Sequence, residues 1–321
     1  MKKLQWLFIL CVFMVIIVAL SCSKNKDSAQ IPVQTVSWSG LRSTPQTYTV
    51  MAGRDTVIMG QDSTVMHFYP NSFMLANGNI ITTGSINIQL IEMYTPGVMI
   101  ANGATTTATD GSMLQSGGQV YIRATMNGNE VFANKYGLGF RQPGSSNQPM
   151  ELFYGTLGST DSTTQWTISD TSKNGTTASG TKSDSSSSTT TNPHPNFMYI
   201  FDSCTSFNWV NCDQYGGNGA DDKLYIQLPD DSYTDANTVV FVALPVANSV
   251  EQGMSDGPGR YLVTHIAGGI TYKAIAITNK NNVYYYCELT GTTTVSHTVT
   301  TVPMAMAPET LGDIIDRLHG L

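Results

Sequence analysis

Few side chains in this sequence are spaced so that they could do chemistry together. Asp221-Asp222 and Asp230-Asp231 bracket a strand-like run and could offer oxygen ligands to a calcium ion. No Asp-x-Asp-x-Asp-Gly loop backs them, so solvated turns are the better account. The five histidines, His67, His194, His265, His297 and His319, are scattered and read as surface or satisfied core residues. The chain has no Gly-x-Ser-x-Gly elbow, no His-Glu-x-x-His and no Gly-x-x-x-x-Gly-Lys cradle. Fifteen methionines raise the thought of Cu(I), which thioethers favour. Met51, Met59, Met66, Met74 and Met93 lie in or beside strand patterns, however, where core filling explains them. No catalytic residue, no metal site and no cofactor is therefore expected.

Cysteine and tyrosine offer two further candidates. Cys204 and Cys212 lie close together around a Phe-Asn-Trp-Val stretch and can pair as a disulfide in an oxidising compartment. The alternative is that they and Cys287 are small, buried, apolar-like thiols. Tyr284 and Tyr286 share one face of a strand, and two exposed rings there could stack on a sugar. Core packing of at least one face is the competing reading.

The elements that must position these residues are strands. Ser85 to Met93 alternates, with Ile86, Ile88 and Leu90 on one face against Asn87 and Gln89 on the other. Gln119 to Met126 alternates too, and Asn127-Gly128 then predicts a hairpin turn. Short strand-like runs resume after residue 197 with polar turns between them. Residues 170–193 are rich in Ser and Thr and offer almost nothing to bury, so they read as a linker. At the C-terminus, Thr310 and Asp313 suggest a capping box, with Leu311, Ile314, Ile315 and Leu318 on one helical face. The expected fold class is all-β: two β-sandwich-like domains and a short C-terminal helix. The expected divisions are a signal over 1–21, a tether over 22–34, a first β-domain over 35–169, the linker over 170–193, a second over 194–308 and the helix over 309–321.

Composition agrees. Only 12% of the 321 residues are charged, well below the usual quarter, so Ser, Thr, Asn and Gly must carry the surface. The formal charge of −7 argues against a phosphate-backbone partner, and no nucleic acid is expected.

The N-terminus carries an address. Lys2 and Lys3 precede an apolar run from Leu4 to Leu20, and Ser21-Cys22 opens a polar stretch. This arrangement resembles a bacterial lipoprotein signal, although Ala19-Leu20 departs from the commoner Leu followed by a small residue. The resemblance implies that Cys22 is acylated, with palmitate or a similar chain, and that the protein is anchored to a membrane through its N-terminal lipid. Ser at position 23 favours the outer membrane, with the face undetermined. An uncleaved anchor is the alternative, because a 17-residue run is near the lower limit for spanning. Asp-Ser/Thr-x sequons place candidate O-glycosylation at Ser28, Thr56, Ser63 and Ser162, as in Bacteroidota envelope proteins.

A second resemblance covers about two thirds of the chain. Phe68-Tyr-Pro-Asn-Ser-Phe, Asn77-Gly-Asn, Thr105-Thr-Thr, Leu114-Gln-Ser-Gly-Gly-Gln and Pro149-Met-Glu-Leu-Phe-Tyr-Gly, with Trp166, are similar to a β-domain of Bacteroidota lipoproteins. That domain distantly resembles one in ankyrins and netrin receptors, which joins proteins and catalyses nothing. Asn208 to Asp213 resembles the partner region of the same lipoproteins. The implied function is non-catalytic binding or structural work in the envelope, with an unknown protein or glycan as partner. The alternatives are a glycan-binding accessory lipoprotein of a polysaccharide-uptake system and an envelope enzyme of unknown chemistry.

Overall fold

The computed structural model describes residues 40–141, 150–157, 164–169, 181–182, 198–216, 222–293 and 299–321. All of these lie in one unit, Pro32–Leu321. Cys22, Ser28 and Ser162 lie outside the described residues.

Strand alternation builds the first sandwich. One sheet runs β1 (Gln46–Met51), β5 (Ser85–Met93), β6 (Leu114–Met126), β13 (Asn208–Tyr215), β9 (Glu151–Leu157) and β10 (Thr164–Ile168). β7 (Asn129–Ala133) also pairs with β6, and β4 (Phe73–Met74) pairs with β7. The facing sheet runs β11 (Thr181–Lys182), β12 (Met198–Cys204), β8 (Tyr136–Arg141), β3 (Val65–Phe68) and β2 (Thr56–Met59). Ile86, Ile88 and Leu90 are fully buried, as their period of two predicts, with Ala124 opposite Ile88 and Ile122 opposite Leu90 on β6. Asn127 and Gly128 both take positive φ, 52° and 82°, and close the β6–β7 hairpin. Phe68 stacks on Phe73 and Tyr136 at centroid separations of 5.0 and 5.9 Å, and Phe207 joins them at the base of the core. A buried ring of this size stabilises the fold by about 1.5–3 kcal/mol.

The second sandwich is smaller. Its outer sheet is β17 (Met254–Ser255), β18 (Arg260–Ile266), β14 (Asp222–Gln227) and β21 (Val299–Pro303), the last lying parallel to β14. Its inner sheet is β16 (Ser249–Gln252), β15 (Thr238–Leu244), β19 (Thr271–Lys280), β20 (Val283–Thr292) and β22 (Ala307–Glu309). Leu224, Ile226, Tyr261 and Val263 from one sheet meet Val240, Val242, Ala274 and Ala276 from the other. β15 is buried along its whole length, which its Val-rich, uncharged sequence permits.

Two helices complete the structure. α1 (Pro96–Asn102) starts at the Thr95 cap and stops at Gly103, whose φ is 71°. α2 (Leu311–His319) starts at Thr310, whose hydroxyl accepts from the Asp313 N–H at 3.1 Å, as the capping pattern predicts. Ile314 and Leu318 are fully buried. α2 packs on α1 of the first sandwich as well as beside β20, where Arg317 lies 5.7 Å from the Tyr286 ring. Gly97 makes the helix contact close: a Cβ there would lie 1.6 Å from the Leu318 carbonyl oxygen.

The division between the sandwiches differs from the expected one. β12 and β13 follow the Ser/Thr-rich stretch, yet β12 pairs with β8 and β13 sits between β6 and β9. Thr181–Lys182, inside that stretch, pairs with Tyr199 and Ile200. The strands on both sides of 170–193 therefore belong to the first sandwich, and the second begins at β14. Polar composition could not say whether that stretch joins two domains or two strands of one.

Candidate functional site

The most distinctive polar architecture is the joint between the two sandwiches. After α1 the chain runs extended through Ala104-Thr-Thr-Thr-Ala108, and the three threonines each serve a different neighbour. The Thr105 hydroxyl donates to the Thr164 carbonyl at 2.8 Å, and its own carbonyl accepts from Gln119 Nε2 at 2.8 Å and Trp166 Nε1 at 2.6 Å. Thr106 meets β16 of the second sandwich: its N–H donates to the Val250 carbonyl at 2.8 Å, and its hydroxyl accepts from the Val250 N–H at 2.9 Å. Thr107 donates its hydroxyl to Glu251 Oε2 at 2.6 Å. Asn248 Nδ2 donates to the Ser116 carbonyl at 3.1 Å, and the Ser249 hydroxyl donates to the Leu114 carbonyl. The edge of β16 is thus covered by the first sandwich, which leaves no open ladder there.

Glu251 is 4% exposed, and burial pushes its carboxyl up to about 8. Its Oε1 has no hydrogen-bond partner. A second buried acid, Asp213, sits at a bulge where β13 shifts register against Gly117-Gly118 of β6. Its Oδ2 accepts from the Asn211 amide, its Oδ1 has no hydrogen-bond partner among the described residues, and burial raises its carboxyl well above the usual range. A third, Glu92, lies at the other edge of the same sheet. It accepts from the N–H groups of Asp62 and Thr64, each at 2.8 Å, and from Gln46 Nε2 at 2.7 Å. Sequence reasoning missed all three. The available signal was a lone acid inside an otherwise apolar or amide-rich strand, as in Gln89-Leu-Ile-Glu-Met93.

The residues singled out by the sequence fall in separate places. Tyr286 is 4% exposed, with its hydroxyl donating to Glu288 Oε2 at 2.9 Å, while Tyr284 is half-buried. The pair therefore does not form an exposed sugar-stacking platform, because β22 pairs along β20 and Arg317 lies beside the Tyr286 ring. Cys204 and Cys212 are buried free thiols, not a disulfide, and burial raises both above the ordinary thiol range. They lie on β12 and β13, in opposite sheets of the sandwich, where the core holds each separately. Cys287 is also free and half-buried. Thr56 and Ser63 are half-buried around the β2–β3 hairpin, Ser63 at φ 75°.

His67 pairs with Asp55 at 2.9 Å on the surface, and His265 bonds to the Thr264 hydroxyl through Nδ1 at 2.8 Å. His319 is exposed in the last turn of α2, and His194 and His297 lie outside the described residues. Asp230 Oδ1 accepts from the Ser232 hydroxyl and from its N–H at 2.8 Å, which together lower its carboxyl and make a turn of that acidic pair. Asp221 lies outside the described residues. Among the described residues, no group of three or more His, Cys, Asp or Glu converges to hold a metal ion, and no helix is long and apolar enough to cross a membrane.

Two cavities are small. One of about 80 Å³ lies between Phe132, Val131, Phe207 and Asn208. The other, of about 10 Å³, lies between Ile100 of α1 and Val239 and Ile277 of the inner sheet. Both fall far below the ~300 Å³ at which small-molecule pockets begin. Comparison with known proteins gives no match: no family model, no curated protein and no solved structure is similar to this chain.

Proposed function

We propose that this is a lipid-anchored envelope protein whose role is binding or structural and not catalytic. The observation that carries the reading is Ser21-Cys22 at the end of the apolar run Leu4 to Leu20, followed at once by a polar tether. Acyl chains on Cys22 would hold the body at a membrane, and Ser23 favours the outer one. The fold supports the non-catalytic part through the use it makes of its buried acids. Glu92 binds backbone N–H groups, Asp213 binds the Asn211 amide and Glu251 binds a threonine hydroxyl, so each acts as a structural fastener. The partner is an envelope protein or glycan met on the exposed loops and faces.

A fatty-acid probe tests the anchor. Wild type takes up label and fractionates with membranes, and Cys22→Ala does neither. Retention of both by the variant would overturn the reading. The non-catalytic part is tested by incubating residues 23–321 with glycan and peptide arrays and analysing the products by mass spectrometry. Turnover abolished by replacing a single Asp, Glu or His would overturn it.

A further inference from the structure

Among the described residues, the surroundings of Glu251 contain no charge to balance it. Three elements pack on β16: β15, α1 and β6. β15 reads Thr-Val-Val-Phe-Val-Ala-Leu and α1 reads Pro-Gly-Val-Met-Ile-Ala-Asn, without an ionisable side chain in either. The part of β6 at the joint reads Leu-Gln-Ser-Gly-Gly-Gln, and Arg123, its one basic residue, pairs with Gln89 toward the far end. Residues 103–109, which supply Thr106 and Thr107, are also uncharged, and Asp110 beyond them is exposed. Asp213 is buried behind Ser116 and belongs to the β6–β13 pair. Among the described residues, Glu251 therefore has the Thr107 hydroxyl as donor on Oε2, with the Thr106 hydroxyl close by, a bare Oε1 and no cation.

A carboxylate so placed carries an uncompensated buried charge, whereas the neutral acid costs far less. The cheapest relief for the charged form is water, and opening the joint supplies it. The two bonds between Thr106 and Val250, one backbone to backbone and one from the Val250 N–H to the Thr106 hydroxyl, are the immediate neighbours of the Glu251 contact, because Glu251 and Thr107 are the next residues along each chain.

We infer that Glu251 is a protonation latch for this joint: its neutral form holds residues 104–107 against β16, and its ionisation releases that contact. Each sandwich keeps its own core through the change, since Glu251 lies at the edge strand of one sheet. The device is independent of the anchor and of any ligand.

Amide hydrogen exchange on the whole chain tests it, with rates corrected for their intrinsic pH dependence. Protection over 104–107 and 249–252 should fall by at least about tenfold between pH 6 and pH 9, while β5 and β19 hold theirs. Glu251→Gln, which cannot ionise, should remove the fall. Equal protection at both pH values would overturn the inference. So would an equal fall in the glutamine variant, or a fall shared by every strand. Should that variant fail to fold, carbon-13 titration of the wild-type carboxyls decides. A buried glutamate that ionises above pH 7 supports the latch, and none doing so overturns it.

Discussion

Two buried glutamates divide the molecule. Glu92, at the β2–β3 hairpin, is 5% exposed and receives two backbone N–H groups and an amide. Glu251, in the joint, is 4% exposed and receives a hydroxyl, with its second oxygen bare. Burial is equal, so the difference lies in the donors. A carboxylate surrounded by N–H groups is solvated by the protein itself, while one without them is stable only as the acid. The first arrangement is a clasp with three donors, and the second makes a contact that depends on the proton.

Breaking the clasp should have the largest effect. Glu92→Ala leaves the N–H groups of Asp62 and Thr64 without their acceptor and should cost about 3 kcal/mol, read as a lower denaturation midpoint at unchanged slope. The next effect concerns pH. With its carboxyl at about 8 in the folded chain and an ordinary value near 4.5 unfolded, Glu251 binds more protons in the folded state between those values. Its contribution is complete below the unfolded value, falls as pH rises through the window and levels off above about 8. Glu251→Gln should flatten that slope and gain about 1–2 kcal/mol over wild type at pH 8, and much less at pH 5, as thermal unfolding at both values would show.

Thr107→Val sharpens the comparison by removing the donor to Glu251 Oε2. It should cost about 1 kcal/mol and move the midpoint of the alkaline loss to higher pH, because the carboxylate loses its strongest donor bond in the joint. Asp213→Asn should have the smallest effect, less than about 1 kcal/mol, because burial favours the neutral acid there and the amide has the same shape. A loss like that of Glu92→Ala would show that the β13 bulge needs both carboxyl oxygens as acceptors.

Much of the local structure was legible in the sequence. Ile86, Ile88 and Leu90 alternate with polar residues, and they face the core. Asn127-Gly128 tolerates the left-handed backbone that its turn requires. Thr310 caps α2 where its pattern placed it. The candidate sites fared differently. Tyr284 and Tyr286 do share a strand face, but β22 and α2 crowd that face, and neither lies beside β20 in the local sequence. Cys204 and Cys212 are near in sequence but belong to facing sheets.

The sequence by itself determined the periods, turns and caps, because these depend on side chains within a few residues of one another. Only the tertiary structure decided which strands are neighbours. Backbone ladders use the same N–H and C=O groups at every position, so the placing of β13 between β6 and β9 follows from the packing of distant surfaces. The same holds for charge. Glu92 and Glu251 are the same side chain, in strands of similar composition, and what separates them is a pair of N–H groups from the β2–β3 hairpin in one case and a single threonine hydroxyl from residue 107 in the other. Those donors come from sequence positions 28 to 144 residues away, and only the folded chain brings them to the carboxyl.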